Sequence, residues 1–140
     1  MLPPLRIAAL LSALALPAAA QDSSSAERPV SGAFAELQAA RGDTVFQWFC
    51  ASCHEQTFHS GDQFRMSWVG RTLRDYFRTL KTTMPEDNPG GLTDDQYVSV
   101  IAYIMKLNGY ASGPVPLLAD TLELKRIRIG EPPARPAASP

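Results

Sequence analysis

Apolar and polar positions follow helical spacing in three stretches of this 140-residue chain. The first runs from Phe34 to Phe49, with Phe34, Leu37, Val45, Phe46 and Phe49 as its apolar positions and Gly42 as an interruption. Gly42 has two readings. It ends one short helix and starts another, with Asp43 or Thr44 near a cap; or it lets a second helix approach where a side chain would clash. The second stretch is Arg71 to Leu80. Leu73, Tyr76, Phe77 and Leu80 fall at i, i+3, i+4 and i+7, which predicts an amphipathic helix. Arg74, Arg78 and Lys81 occupy its other faces. The third opens at Thr93, where Gln96 completes a capping box and Asp94 and Asp95 suit the positive helix end. Tyr97, Val98, Val100, Ile101, Ile104, Met105 and Leu107 cover a wide face, so this helix is expected to be deeply buried. Asn108-Gly109 ends it. The expected fold class is all-α.

The intervals are read by their breakers. Glu55 to Gly70 shows few helical signals and is expected to be a loop, with Phe58, Phe64, Met66 and Trp68 as its apolar contacts. The indole N–H of Trp68 needs a partner if buried. Pro85 lacks an N–H and pushes Met84 toward extended geometry, which puts Met84 in a loop just past a helix. Glu86 to Leu92 is rich in turn residues.

The chain ends have a different character. Arg6, the apolar run Ile7 to Leu16 and the small residues through Ala20 read as a secretory signal, residues 1–20, cut after Ala20. The run is shorter than the roughly 20 apolar residues that span a bilayer; an uncleaved anchor is the rival reading. Residues 21–33 read as a flexible leader, polar and Ser-rich over Gln21 to Pro29. Residues 113–140 form a proline-rich extension. Pro114, Pro116, Pro132, Pro133, Pro136 and Pro140 are half of the chain's 12 prolines, which argues against a continuing helix. Within it Thr121 to Ile129 is expected to be extended, and residues 131–140 disordered. That leaves one compact domain over residues 34–112, a size at which side chains alone supply only a few kcal/mol.

Charge narrows the function classes. The formal net charge is −1, and removal of residues 1–20 takes away Arg6 and no acid, leaving −2. That is not the balance of a nucleic-acid-binding protein. The mature form would have no membrane span.

Chemistry concentrates in Cys50-Ala51-Ser52-Cys53-His54, which contains both cysteines of the chain. This C-x-x-C-H spacing is the attachment signature of a c-type haem: two thiols on one short turn reach one porphyrin edge, and the next residue, His54, can bind the iron. Three other readings compete. A redox dithiol belongs beside a strand in a βαβ unit, whereas the pattern here is helical. A closed zinc site needs four ligands and would consume Cys50, Cys53, His54 and His59. A structural disulfide leaves His54 unexplained. A buried haem would also add the apolar surface that so small a domain lacks. A low-spin electron-carrying haem needs a second axial ligand, and a thioether is a common one. Met84, thirty positions after His54, has the reach. Met66 is too near His54, Met105 reads as core filler, and His59 is a weaker candidate than Met84. Arg71 and Trp68 are candidate partners for a haem propionate; a solvated surface and a backbone carbonyl are the respective alternatives.

These parts together resemble class I cytochrome c: a first helix with Gly42 and Phe46, the CASCH site, the Thr-Met-Pro loop and a last helix containing Ala102-Tyr103-Ile104. The resemblance spans residues 36–110. It implies a small helical fold around one covalent haem c, with Cys50 and Cys53 as thioether anchors and His54 and Met84 as axial ligands. It also implies a close crossing of first and last helices, with Tyr103 near Gly42. The stretch from Thr82 to Tyr110 is similar to cytochromes that serve bacterial quinoprotein alcohol dehydrogenases. The implied function is periplasmic electron transfer rather than enzymatic catalysis. The candidate partners are redox proteins, such as a quinoprotein dehydrogenase and a terminal oxidase or another cytochrome. An open sixth site for catalysis or gas sensing is the alternative. Glu86, Asp87, Asp94 and Asp95 either steer a basic partner or form a solvated surface.

Overall fold

A computed structural model describes residues 26–134. The expected signal over 1–20, and the part of the tail beyond residue 134, lie outside the described residues. In order the elements are strand β1 (Arg28–Pro29), helix α1 (Glu36–Phe49), a 3₁₀ turn (Gln56–His59), α2 (Gly61–Trp68), α3 (Leu73–Thr83), α4 (Asp94–Leu107), α5 (Thr121–Arg126) and strand β2 (Ile127–Arg128). The fold is all-α apart from the short parallel β1–β2 pair.

The fold is organised by the crossing of α1 on α4. A Cβ built on Gly42 would lie 1.8 Å from the Ser99 carbonyl oxygen and 2.9 Å from Tyr103 Cβ. Glycine is therefore demanded by close helix approach, and α1 runs through it unbroken. Phe46 packs against Tyr103 with ring centroids 5.4 Å apart. The crossing buries Ala39, Phe46, Ile101 and Ala102, and an ion pair between Lys106 and Glu36 spans its edge. Helix α4 is capped as its sequence predicts. The Thr93 hydroxyl accepts from the Gln96 amide N–H, and the Gln96 side chain accepts from that of Thr93. Nine consecutive residues, Tyr97 to Met105, are buried.

The structure departs from the sequence reading in three places. The interval Glu55–Gly70 is largely helical, comprising the 3₁₀ turn and α2. Its apolar pattern is too short to show a period: Phe64 is buried, but Phe58 and Met66 are exposed. The Thr121–Ile129 segment is not extended throughout. Asp120 caps α5 by accepting from the Leu122 and Glu123 amides at 2.8 and 3.2 Å, and only Ile127–Arg128 is strand.

The third departure joins the two chain ends. Val30 and Ala33, in the leader expected to be flexible, are buried, as are Leu117, Leu124, Ile127 and Ile129 in the extension. The buried amide of Gln38 fastens the extension to α1. Its Nε2 donates to the Leu117 carbonyl and its Oε1 accepts from the Leu117 N–H, both at 2.8 Å. Gly113 donates to the Phe34 carbonyl at 2.7 Å, where a Cβ on Gly113 would meet the Gly32 carbonyl oxygen at 2.1 Å. Scattered apolar residues between the proline clusters do their burying here without a readable period.

Candidate functional site

The cysteine segment continues the last turn of α1. The Cys50 and Ala51 amides both donate to the Phe46 carbonyl, at 2.8 and 2.9 Å. The Cys53 and His54 amides then both donate to the Cys50 carbonyl, at 3.1 and 2.9 Å. This tight turn makes both thiols and the His54 imidazole line one cavity. The thiols are free in this structure. Cys50 is half-buried and Cys53 exposed, and burial pushes the Cys50 thiol above its ordinary pKa.

The cavity has a volume of about 870 Å³, at the upper end of small-molecule and cofactor sites. Apolar walls come from Phe46 of α1, Trp68, Tyr76 and Leu80 of α2 and α3, and Val100 and Ile104 of α4. Burial drives the Tyr76 phenol well above its ordinary pKa. Trp68 stacks on Tyr76 with centroids 4.1 Å apart, and the Arg71 guanidinium lies 5.4 Å from the Trp68 ring centroid. Arg71 is thereby engaged in a cation–π contact.

Met84 lines the same cavity. Helix α3 begins at a capping box formed by Thr72 and Asp75 and ends at Met84, whose amide donates to the Leu80 carbonyl at 2.8 Å. Met84 itself has extended backbone geometry, and the turn-rich loop that follows is tied back at several points. Tyr97 of α4 donates its hydroxyl to the Met84 carbonyl at 2.7 Å. Asn88 donates to the Pro85 carbonyl at 3.0 Å. Lys81 pairs with Asp94 across the base of the loop at 2.5 Å. Tyr97 was read in the sequence as part of a buried face; its role as the anchor of Met84 has no sequence signal, because it depends on how α4 lies against α3.

Two further residues of the cavity were missed or set aside. Trp48 lines the rim although it is 79% exposed, and nothing in helical spacing marks it. His59 also lines the cavity. Its ring meets His54 edge-on at 5.1 Å and Phe46 at 5.5 Å. Burial, and to a smaller extent the charge of His54, hold its pKa below the ordinary imidazole value. Its Nε2 is the one buried side-chain nitrogen or oxygen without a partner among the described residues.

A family model described as cytochrome c oxidase, cbb3-type, subunit III matches residues 37–104. The chain carries a cytochrome c domain. Searches of curated proteins and of solved structures gave no match. The matched residues run from α1 to near the end of α4, so they include the crossing, both cysteines, His54 and Met84. A cytochrome c domain implies electron transfer with a covalently bound c-type haem. The residues present fit that group. Two free thiols, an imidazole and a thioether face one largely apolar cavity. No cluster of three or more His, Cys, Asp or Glu suited to a metal ion occurs among the described residues, which weighs against the zinc reading. No described helix is long and apolar enough to cross a membrane.

Proposed function

We propose that the cytochrome c domain is a periplasmic one-electron carrier holding one haem, with Cys50 and Cys53 as thioether anchors and His54 and Met84 as axial ligands. The observation that carries this reading is the convergence of these four side chains on one cavity, although Met84 stands thirty positions from His54 in sequence. The bound haem supplies an iron that alternates between the ferric and ferrous states. Everything else is done by the chain. The Cys50–His54 turn, hydrogen-bonded to the end of α1, sets the spacing of thiols and imidazole. Tyr97 fixes the backbone at Met84 and so keeps the thioether on station. The apolar walls exclude water, and thioether ligation with burial raises the potential.

The rim supports transient docking. Cys53, Trp48, Glu86 and Asp87 are exposed around the cavity, and a weak redox encounter needs only a small contact. The acidic pair would steer a basic partner, so electron exchange should slow as salt rises. The partner classes that suit this carrier are a quinoprotein dehydrogenase as donor and a terminal oxidase or another cytochrome as acceptor.

The test is haem stoichiometry and redox titration of the exported protein. The expected result is one haem c per chain, a single one-electron wave, and no carbon monoxide binding at neutral pH. Ready carbon monoxide binding by the wild type would instead indicate an open sixth site and overturn the carrier reading.

A further inference from the structure

His59 has no part in the proposed ligand set, yet it is the most conspicuous polar group in the cavity. Its backbone is held firmly. Asn108, at the end of α4, donates from Nδ2 to the His59 carbonyl at 2.8 Å and accepts the Gly61 amide at 3.2 Å. Phe46 confines one side of the ring. The ring is thus presented to His54 by elements that also build the α1–α4 crossing, and its Nε2 is buried without a partner.

A metal-bound histidine almost always hydrogen-bonds through its other ring nitrogen, and that bond sets ring orientation and basicity. An in-line N–H···N bond of about 2.9 Å, with each nitrogen about 1.1 Å from its ring centre, separates two imidazole centroids by about 5.1 Å. The observed separation is 5.1 Å, with the ring planes at 70°. The rings meet edge-on without a hydrogen bond between them, but their centres stand at the separation such a bond needs, so turning the rings on their present backbones would form it.

We infer that His59 is a positioning residue for His54, its Nε2 accepting a hydrogen bond from the His54 ring nitrogen that does not face the iron. This rests on His54 being an axial ligand. The bond holds the His54 ring in one orientation and makes it a stronger donor to iron, which favours the ferric state. His59 itself stays outside the coordination shell.

The chain contains only two histidines, so ¹⁵N-histidine labelling of the reduced holoprotein reports on these two rings alone. The expected result is a resolved through-hydrogen-bond ¹⁵N–¹⁵N coupling between them. Its absence from a protein with a normal low-spin, methionine-ligated spectrum overturns the inference and leaves the ligand assignment standing. A wild type without that spectrum overturns both. Substitution supplies an independent readout. His59→Leu should shift the ferric–ferrous equilibrium about tenfold toward ferrous, a rise of about 59 mV for one electron. His59→Gln, which keeps an acceptor, should restore most of the wild-type potential. A potential unmoved in a folded, haem-loaded His59→Leu protein contradicts the inference. If that variant does not fold, the coupling in the wild type decides.

Discussion

The α1–α4 crossing and the Met84 loop flank the same cavity but are held by different physics. At the crossing, Gly42 meets the Ser99 backbone with no room for a methyl group, and buried apolar side chains fill the interface. The loop from Met84 to Leu92 has mostly exposed residues, and hydrogen bonds from Tyr97 and Asn88 hold its backbone. Packing therefore determines whether the domain exists. A few polar contacts determine where the thioether sits. Substitutions in the two regions should separate accordingly, the first changing stability and the second changing the spectrum.

The largest effect is expected at the crossing. Gly42→Ala would gain up to about 1 kcal/mol of helix propensity but must displace the Ser99 carbonyl, and the net loss should be about 4 kcal/mol or more. Urea unfolding of the holoprotein measures it; a variant within 1 kcal/mol of wild type would mean the helices are not in contact at that position.

A second packing test lies away from the cavity. Leu124→Ala, in the buried face of α5, should cost about 3 kcal/mol while leaving the visible spectrum unchanged. Thermal denaturation followed beside the absorbance separates the two effects. A changed spectrum would show that the extension governs ligation as well as stability.

The loop responds differently. Tyr97→Phe removes the donor to the part-buried Met84 carbonyl and leaves that acceptor without its protein partner, at a cost of about 1 kcal/mol. Its clearer signature is a weaker sulfur-to-iron absorption band and easier displacement of Met84 by added imidazole. Equal imidazole affinity in variant and wild type would show that the loop needs no such anchor.

The smallest effect is a pH dependence at the start of α3, the helix that ends at Met84. The Thr72 hydroxyl hydrogen bond chiefly holds Asp75 below its ordinary pKa, aided by the Thr72 amide, Arg74 and Arg78 and opposed by burial. A depressed folded-state pKa adds stability above the unfolded value, about 3.9, and that stability is lost as the pH falls through the lower folded value. Melting temperatures of wild type and Asp75→Asn should therefore converge below about pH 4. A gap that stays constant with pH would contradict this role.

The contrast also explains what the sequence disclosed. Local features were legible: the C-x-x-C-H turn, the Thr93 capping box, and the amphipathic spacing of α3 each depend on residues within one or two turns. Gly42 was legible as an alternative, and the crossing chose between its two readings. Long-range partners were not. Gln38 clasps Leu117 from 79 positions away, Tyr97 reaches Met84 between helices, and His59 meets His54 only because Asn108 pins its backbone to the end of α4. The extension was obscured because its helix and strand, six and two residues long, are too short to show a period, although Leu117, Leu124, Ile127 and Ile129 bury as deeply as core residues.

The central claim is that one cavity brings His54 and Met84 to a single haem iron. The most direct test is the visible and near-infrared spectrum of the oxidised protein beside that of Met84→Ala. The account predicts a low-spin wild type with a weak sulfur-to-iron band. In Met84→Ala that band disappears and the potential falls, while the covalent haem and the fold persist. A band that survives in Met84→Ala, or a wild type that is already high-spin, would contradict it.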